Sequence, residues 1–285
     1  MVKTKKNKIN TKVRSKSKVR SKSMSDYVIA IPSYKREKTL RDKTLKVLQQ
    51  YKIPKEKIFV FVANKEEYKK YKETIPPYYN KLIVGIVGMG NIRNFITDYF
   101  PSGKKIFNMD DDISGFLKLT KDKTATSKGE SRKFQGSELD KFIKKGFDEL
   151  QKHKFSLFGI YPASNPFFMK KRATHDIRYI IGSCWGVIND KSLKVTMDDK
   201  EDFERTIKHY MKYGGVIRFE DVTVISGYYT EKGGMQETRT KERVLKSAKL
   251  LVERYPDLCT LYLKKKSGYA EVKLKDKENK YSKKK

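Results

Sequence analysis

The stretch Ile106-Phe-Asn-Met-Asp-Asp-Asp-Ile113 joins a short apolar run directly to three adjacent carboxylates. The apolar run predicts a buried strand, and side chains alternate along a strand, so Asp110 and Asp112 are expected on the same side. Carboxylates placed this close repel one another unless a cation is bound. Oxygen ligands of this kind suit Mn²⁺ or Mg²⁺. The stretch therefore favours a metal site formed by Asp110 and Asp112, with an exposed acidic loop as the alternative.

Three strand-helix pairs precede this stretch. Apolar runs at 27–31, 58–63 and 82–86 predict strands, and the periodicity of residues 37–51, 65–73 and 91–99 predicts helices. With residues 106–109 as a fourth strand, this alternation implies an α/β fold whose mainly parallel sheet is flanked by helices. Ligands of such sheets bind at the carboxyl ends of the strands, which is where the three aspartates lie.

The second half of the chain continues the same core with more loops. Residues 120–137 are predicted to be a polar loop. Helices are predicted at 138–152, 199–213 and 237–254, and strands at 156–160, 180–188 and 216–229. No linker interrupts this pattern, so we predict a single domain over residues 25–263. Residues 1–24 are predicted to be a disordered basic tail, and residues 264–285 a flexible basic one.

Positive charge is spread over the whole chain, which has 66 Lys and Arg against 34 Asp and Glu and a net charge of +32. The first 23 residues contain ten basic side chains and no acidic one, and residues 264–285 contribute +7. The stretch 24–263 therefore still carries +15. A basic surplus on the folded part predicts a polyanionic partner such as DNA. A Lys-rich coding bias is the alternative, and the first tail is either a basic arm or a coding extension.

Cellular location is predicted from what the sequence lacks. No apolar run approaches the length needed to cross a bilayer, and the first residues contain no apolar signal segment. Cys184 and Cys259 stand alone, without the spacing of a zinc site or a disulfide framework. These features predict a cytoplasmic or nuclear protein without a membrane anchor.

Several ordered segments together resemble the nucleotide-binding half of GT-A glycosyltransferases. They are IPSYKR at 31–36, VFVAN at 60–64 with Glu66-Glu67, Val84-Gly85, Gly88 followed by Arg93-Asn94-Phe95-Ile96, and MDDDI at 109–113. More narrowly, the stretch 29–113 resembles the glycosyltransferases associated with TET/JBP oxygenases, the family that includes the base J glucosyltransferase. The resemblance implies a GT-A, Rossmann-like fold, a UDP-sugar donor and an acceptor in DNA.

The resemblance also implies roles for individual residues. Pro32, Ser33 and Tyr34 would border the uracil and ribose, and Arg36 would lie near the diphosphate. Asn64 and Glu66 match positions that contact the base or the ribose edge, and Asp110 and Asp111 belong to the same nucleotide-sugar site. Arg93 follows a Gly-rich loop at a helix start, where anions are favoured, so we expect it to reach phosphate. Plain surface charge is the alternative for both arginines.

A second acidic cluster, Asp198-Asp199-Lys-Glu201-Asp202-Phe-Glu204, follows the segment Gly182-Ser-Cys-Trp-Gly186. In GT-A enzymes an acidic pair at a helix start follows a glycine-containing strand, and one member is the general base of inverting enzymes. The pair Glu201-Asp202 matches, and Asp202 is our first candidate for the base. Helix capping is the alternative, because acids at a helix start are stabilised by its dipole.

Three further features stay open. Trp185 is either a stacking platform for a sugar or base or a core residue. Gly233-Gly234-Met235-Gln236 resembles a loop that closes over the donor, or is a simple turn. The histidines, His153, His175 and His209, have no ligand spacing to one another, so a water or another oxygen is expected to complete the metal site.

The function that the sequence favours is metal-dependent, inverting transfer of a hexose, glucose by resemblance, from a UDP-sugar to a hydroxymethylated pyrimidine in DNA. The target base would be flipped out or already single-stranded. The alternatives are a GT-A enzyme that glycosylates a protein or glycan, and a nucleic-acid-binding protein with an inactive transferase fold.

Overall fold

The computed structural model of the protein describes residues 26–227, 233–234, 239–263 and 268–276. Its strands are β1 Val28–Ser33, β2 Ile58–Val62, β3 Lys81–Val84, β4 Lys105–Met109, β5 Ile113–Lys121, β6 Glu130–Lys133, β7 Leu157–Ile160, β8 Ala173–Thr174, β9 Cys184–Ile188, β10 Ile217–Phe219, β11 Val222–Ser226, β12 Cys259–Tyr262 and β13 Glu271–Leu274. Its α-helices are α1 Glu37–Leu40, α2 Lys46–Gln50, α3 Lys65–Thr74, α4 Met89–Tyr99, α5 Glu138–His153, α6 Glu201–Tyr213 and α7 Lys241–Arg254. A π-helical segment, Arg41–Leu45, joins α1 to α2.

The central sheet has the strand order β3-β2-β1-β4-β9-β7-β10-β8. The first four strands of this order are parallel to one another. Strand β9 is antiparallel to both β4 and β7, β10 is parallel to β7, and β8 is antiparallel to β10. Six strands therefore run in one direction and two in the other. The predicted mainly parallel α/β sheet is confirmed.

The sheet is buried on both faces: β1, β2 and β4 are buried at every position and are mostly apolar. Alternate residues of β1 enter different cores: Ile29 and Ile31 pack on one face, and Val28 and Ala30 pack on the other. Helices α1, α2 and α5 cover the first face, and α4 covers the second. Strands of this kind read as continuous apolar runs, which is typical of sheets covered on both sides. The carboxyl end of β4 consequently leads out of the centre of the core.

The second half of the chain adds two small sheets. Strand β5 lies between β11 and β6, so part of the predicted polar loop at 120–137 is a strand, Glu130–Lys133. Strands β12 and β13 form an antiparallel pair that packs on α7, and Val272 and Leu274 belong to their shared core. Strand β13 therefore lies beyond the predicted boundary at 263, and its alternating apolar residues cover α7.

The predicted tails lie largely outside the described residues. The structure does not describe residues 1–25 or 277–285, and it does not describe Met235 and Gln236 of the predicted donor loop. In the parts of the chain that are described, every helix is too short or too polar to cross a membrane.

Candidate functional site

A cavity of about 750 Å³ opens at the carboxyl ends of β1 and β4. Strand β4 is hydrogen-bonded between β1 and β9, so the residues that follow it emerge in the middle of the sheet. Most of the residues proposed from the sequence line this one cavity: Pro32, Ser33, Tyr34, Arg36, Arg93, Asp110, Asp111, Asp112, Glu201 and Asp202. Segments more than 150 residues apart in the chain therefore contribute to the same site.

The backbone of the aspartate triplet is held at both ends. The Asp110 amide donates to the Ser183 carbonyl oxygen at 2.9 Å, and the Thr44 hydroxyl donates to the Asp110 carbonyl oxygen at 2.8 Å. The same hydroxyl accepts the Ile113 amide at 2.9 Å. Thr44 comes from the π-helical segment between α1 and α2. This bracing presents the three carboxyl groups to the cavity in a defined order.

Asp111 is the least exposed residue of the triplet. Its carboxylate accepts the Ser33 hydroxyl at 2.6 Å and pairs with the Arg36 guanidinium at 3.1 Å. Burial raises the pKa of Asp111 to about 6, and Arg36 opposes that rise. The Ser33 hydroxyl also lies 2.7 Å from the Tyr71 hydroxyl of α3. Asp111 thus ties the loop after β1 to the end of β4.

Asp110 and Asp112 both place a carboxyl group on the wall of the cavity. The Asp110 side chain is 30% exposed toward the cavity, and burial raises its pKa. Asp112 lines the same cavity from two residues further along the chain. Two carboxylates on the wall of one cavity fit Mn²⁺ or Mg²⁺, since such ions take one or two protein carboxylates and complete their shell with water and substrate phosphate. The donor set therefore suits the proposed ion.

Arg93 is a buried cation between the two acidic clusters. Its guanidinium donates to Asp110 at 3.0 Å and to the Gly182 carbonyl oxygen at 2.9 Å, and its Nε lies 3.6 Å from the Glu201 carboxylate. The side chain is 4% exposed. The alternative of plain surface charge is thus wrong for Arg93. Its contact with substrate phosphate stays a prediction, and its contacts with protein carboxylates hold Asp110 and Glu201 together.

The neighbouring acids Glu201 and Asp202 have different surroundings. Glu201 is buried, pairs with Arg205 at 2.5 Å and faces Arg93, and burial raises its pKa. Asp202 is half-buried and accepts the Tyr179 hydroxyl at 2.6 Å and the Phe203 amide at 3.0 Å. Glu201 is therefore held by arginines, whereas Asp202 is held by a hydroxyl and an amide donor.

The start of α4 is already capped by an acid of the second cluster. The Gly90 amide donates to the Asp198 carboxylate at 2.8 Å. A Cβ at Gly90 would lie 2.7 Å from the Met197 carbonyl oxygen, so only glycine permits this approach. The Gly-rich turn predicted to favour anions therefore receives a side-chain carboxylate, which also attaches the segment before α6 to α4.

The described part of the predicted donor loop packs on Arg36. The Gly234 amide donates to the Tyr34 carbonyl oxygen at 3.2 Å, and Arg36 donates to the Gly233 carbonyl oxygen at 3.1 Å. Both glycines have positive φ angles, 85° and 64°, which residues with a Cβ rarely adopt. Gly234 lines the cavity. The loop therefore approaches the donor side of the site, next to the residue expected near the diphosphate.

Three residues considered from the sequence do not line the cavity. Asn64 caps α3 by accepting the Glu67 amide at 2.9 Å, and Glu66 is exposed on that helix. Trp185 is 5% exposed and belongs to the core, so it is not a platform for a ligand in this structure. Its ring lies 3.9 Å from the Arg205 guanidinium, and thus supports the arginine that pairs with Glu201. The contact of Asn64 and Glu66 with nucleotide stays a prediction.

Other residues of the cavity were not proposed from the sequence. Tyr179 precedes β9 and stacks on Phe203 of α6, with ring centroids 4.2 Å apart. Arg239 and Glu271 approach from the C-terminal segment, and Lys200 pairs with Glu271 at 2.6 Å. None of these positions has a local sequence signal, because each is selected by packing between distant segments.

No family model and no curated protein matches the sequence. Among solved structures, S. aureus TarS in complex with UDP-GlcNAc is similar with a TM-score of 0.52 and 15% identity, over 81% of this chain and 66% of that chain. A putative nucleotide-diphospho-sugar transferase from Desulfovibrio desulfuricans G20 has a TM-score of 0.41 and 11% identity, over 80% and 97% of the two chains.

The similarity to TarS concerns the fold. Together with the strand order described above, it confirms the α/β architecture expected of GT-A proteins, with a Rossmann-like, mainly parallel sheet. The chain spans about two thirds of the TarS chain that it matches.

Replacement of Arg93 tests whether it holds the two acidic clusters together. Arg93→Met should lower the free energy of unfolding by about 3–5 kcal/mol, since it leaves buried carboxylates without their shared cation. Adding Glu201→Gln to this variant should recover part of the loss, because one of the two charges is then removed. Urea unfolding of the wild type, both single variants and the double variant measures this coupling. Strictly additive effects would show that Arg93 does not link the clusters.

Proposed function

We propose that this protein is a metal-dependent, inverting glycosyltransferase that transfers a hexose, glucose in our assignment, from a UDP-sugar to a hydroxymethylated pyrimidine in DNA. The observation that carries the proposal is the meeting of two acidic clusters in one cavity. Asp110 and Asp112 line the wall at the end of β4, and Asp202 lies at the start of α6. The donor class is supported by TarS, a protein of similar fold whose structure contains UDP-GlcNAc.

The donor would lie along the wall formed by β1 and β4. Pro32, Ser33 and Tyr34 border this wall, and Arg36 lies between Asp111 and Gly233, where its positive charge suits a diphosphate. Asp110 and Asp112 are the residues that would hold Mn²⁺ or Mg²⁺. The bound ion would neutralise the charge that develops on the departing diphosphate.

The acceptor hydroxyl would approach from the side of Asp202. Its oxygen attacks the anomeric carbon of the sugar, the bond from that carbon to the diphosphate oxygen breaks, and the hydroxyl proton passes to the Asp202 carboxylate. One displacement inverts the configuration at the anomeric carbon. The Tyr179 hydroxyl, 2.6 Å from Asp202, would keep the carboxylate oriented during the approach. Glu201 is held by Arg205 and Arg93, so its part would be structural.

A DNA acceptor is supported by a basic surface at the far end of β5. We call it the basic face: two adjoining cavities of about 540 and 570 Å³ whose cationic residues are Lys118, Lys123, Arg132, Lys145, Lys170, Lys171 and Arg172. Two exposed aromatic side chains, Phe167 and Phe168, line the second cavity. Cationic side chains beside exposed aromatic rings are suited to phosphates and unpaired bases.

The distance from the basic face to the acidic cavity agrees with the dimensions of DNA. Strand β5 begins immediately after Asp112 and reaches Lys118 six residues later, which corresponds to about 20 Å at ~3.3 Å per residue. Successive bases of one DNA strand rise by about 3.4 Å, so this distance spans roughly six of them. A target base in the acidic cavity would therefore leave its flanking phosphates within reach of the basic face.

The role of Asp202 is tested against its neighbour. Asp202→Asn should lower kcat by roughly 10²-fold or more, the usual scale of general acid–base catalysis, while UDP binding is retained. Glu201→Gln is the matched control, and it should lower stability more than kcat. The measurements are steady-state kinetics and UDP binding by calorimetry. Small and equal losses of kcat in the two variants would point to helix capping.

The metal assignment is tested through donor binding. Asp112→Ala should abolish the dependence of UDP affinity on Mn²⁺, because it removes one of two protein ligands. Asp98→Ala, which removes an exposed carboxylate on α4, should leave that dependence unchanged. Calorimetric titration of UDP with Mn²⁺ and with chelator measures both. Near-normal turnover of Asp112→Ala in the presence of chelator would refute the metal site.

The acceptor is tested with hydroxymethylated DNA, UDP-glucose and Mn²⁺, followed by mass spectrometry of the nucleosides. The triple variant Lys118→Gln, Lys123→Gln, Lys171→Gln should reduce the slope of log affinity against log salt by about 2 to 3, since each lost phosphate contact removes ~0.9. Transfer to a free hydroxymethyl nucleoside should be retained.

The control for this variant replaces three lysines outside the basic face, Lys69, Lys72 and Lys249, which are exposed on α3 and α7. It should keep the DNA affinity of the wild type at moderate salt. Equal losses in the two triple variants would remove the basic face from the proposal. Transfer to a protein or glycan, with none to DNA, would establish the alternative acceptor class.

A further inference from the structure

A second group of potential metal ligands lies outside the acidic cavity. Glu149 and His153 are one turn apart on α5, and His175 directly follows β8 at the edge of the central sheet. His153 and His175 have no ligand spacing along the sequence. Folding brings His153 and His175 together with ring centroids 4.2 Å apart.

The three side chains have their donor atoms close to one point. Nε2 of His153 lies 3.5 Å from Oε2 of Glu149, and Nε2 of His175 lies 4.0 Å from the same oxygen. The ligand atoms of all three residues lie within 4.8 Å of one another. In a tetrahedral site with ligands 2.0–2.2 Å from the metal, two ligand atoms are about 3.4 Å apart. The two distances to Oε2 of Glu149, 3.5 and 4.0 Å, exceed this value by about 0.1 and 0.6 Å.

The three ligand atoms suit a metal of intermediate softness such as Zn²⁺. Two imidazole nitrogens and one carboxylate oxygen are ligands that Zn²⁺ accepts with a water in the fourth position. The ring of His153 is stacked on Phe155, with centroids 5.7 Å apart, which restricts its rotation. Both cysteines of the chain are buried, so they do not compete for the ion.

We propose that Glu149, His153 and His175 bind a Zn²⁺ ion that joins α5 to the segment around β8. This segment contains Lys171 and Arg172, and α5 contributes Lys145 to the same basic cavity. Glu149 itself lines that cavity. A bound ion would therefore fix two walls of the basic face relative to each other and compensate the charge of an acid that lines it.

The experiment is a Zn²⁺ titration of the full-length protein against a chromophoric chelator, in excess Mg²⁺ to occupy the carboxylate site. We expect one Zn²⁺ per chain at this site. His153→Gln and His175→Gln should each weaken binding at least tenfold, because each removes one of three protein ligands. Lys152→Gln, an exposed neighbour on the same helix, is the control and should bind as the wild type does.

Thermal unfolding supplies an independent readout. Zn²⁺ should raise the Tm of the wild type and of Lys152→Gln, since a ligand of the folded state stabilises it by mass action. The Tm of His175→Gln should not respond. Equal Zn²⁺ affinity in the wild type and both histidine variants would overturn the proposal. The outcome is independent of glycosyl transfer, because none of the three ligands lines the acidic cavity.

Discussion

The structure depends on the accommodation of several carboxylates at the carboxyl end of one buried strand. Asp110, Asp111 and Asp112 leave the core together, and Glu201 approaches them from α6. Desolvation opposes the ionisation of such groups, and Asp110, Asp111 and Glu201 are tolerated because a cation is close to each of them. Arg36 forms an ion pair with Asp111, and Arg93 forms ion pairs with both Asp110 and Glu201. This balance of charge explains why residues of distant segments must meet here.

The same balance connects the fold to the proposed chemistry. The cations that compensate the carboxylates are arginines, whose planar guanidinium group can hold two partners in a fixed geometry. Arg205, supported by the ring of Trp185, restrains Glu201 and leaves Asp202 with hydroxyl and amide donors. Two adjacent acids thereby acquire different surroundings, which is the basis for the different roles proposed for them.

The basic face and the histidine group extend the site away from the acidic cavity. Strand β5 starts at the aspartate triplet and ends among the lysines, so one strand connects the chemistry to the surface proposed for the acceptor. Helix α5 and the segment around β8 both line that surface. A metal ion between Glu149, His153 and His175 would hold these walls without touching the reacting groups.

Local sequence patterns determined the parallel half of the sheet, the aspartate triplet and the acidic pair, because each is a short run with its own apolar period or charge. They did not indicate strand β6 or strand β13, whose pairing partners lie elsewhere in the chain and supply their stability. Tertiary structure alone decided that Tyr179 donates to Asp202, that Asp198 caps α4, and that Arg93 links two clusters. It also brought His153 and His175 into contact. The physical reason is that these contacts join segments as much as 108 residues apart, and packing rather than spacing along the chain brings them together.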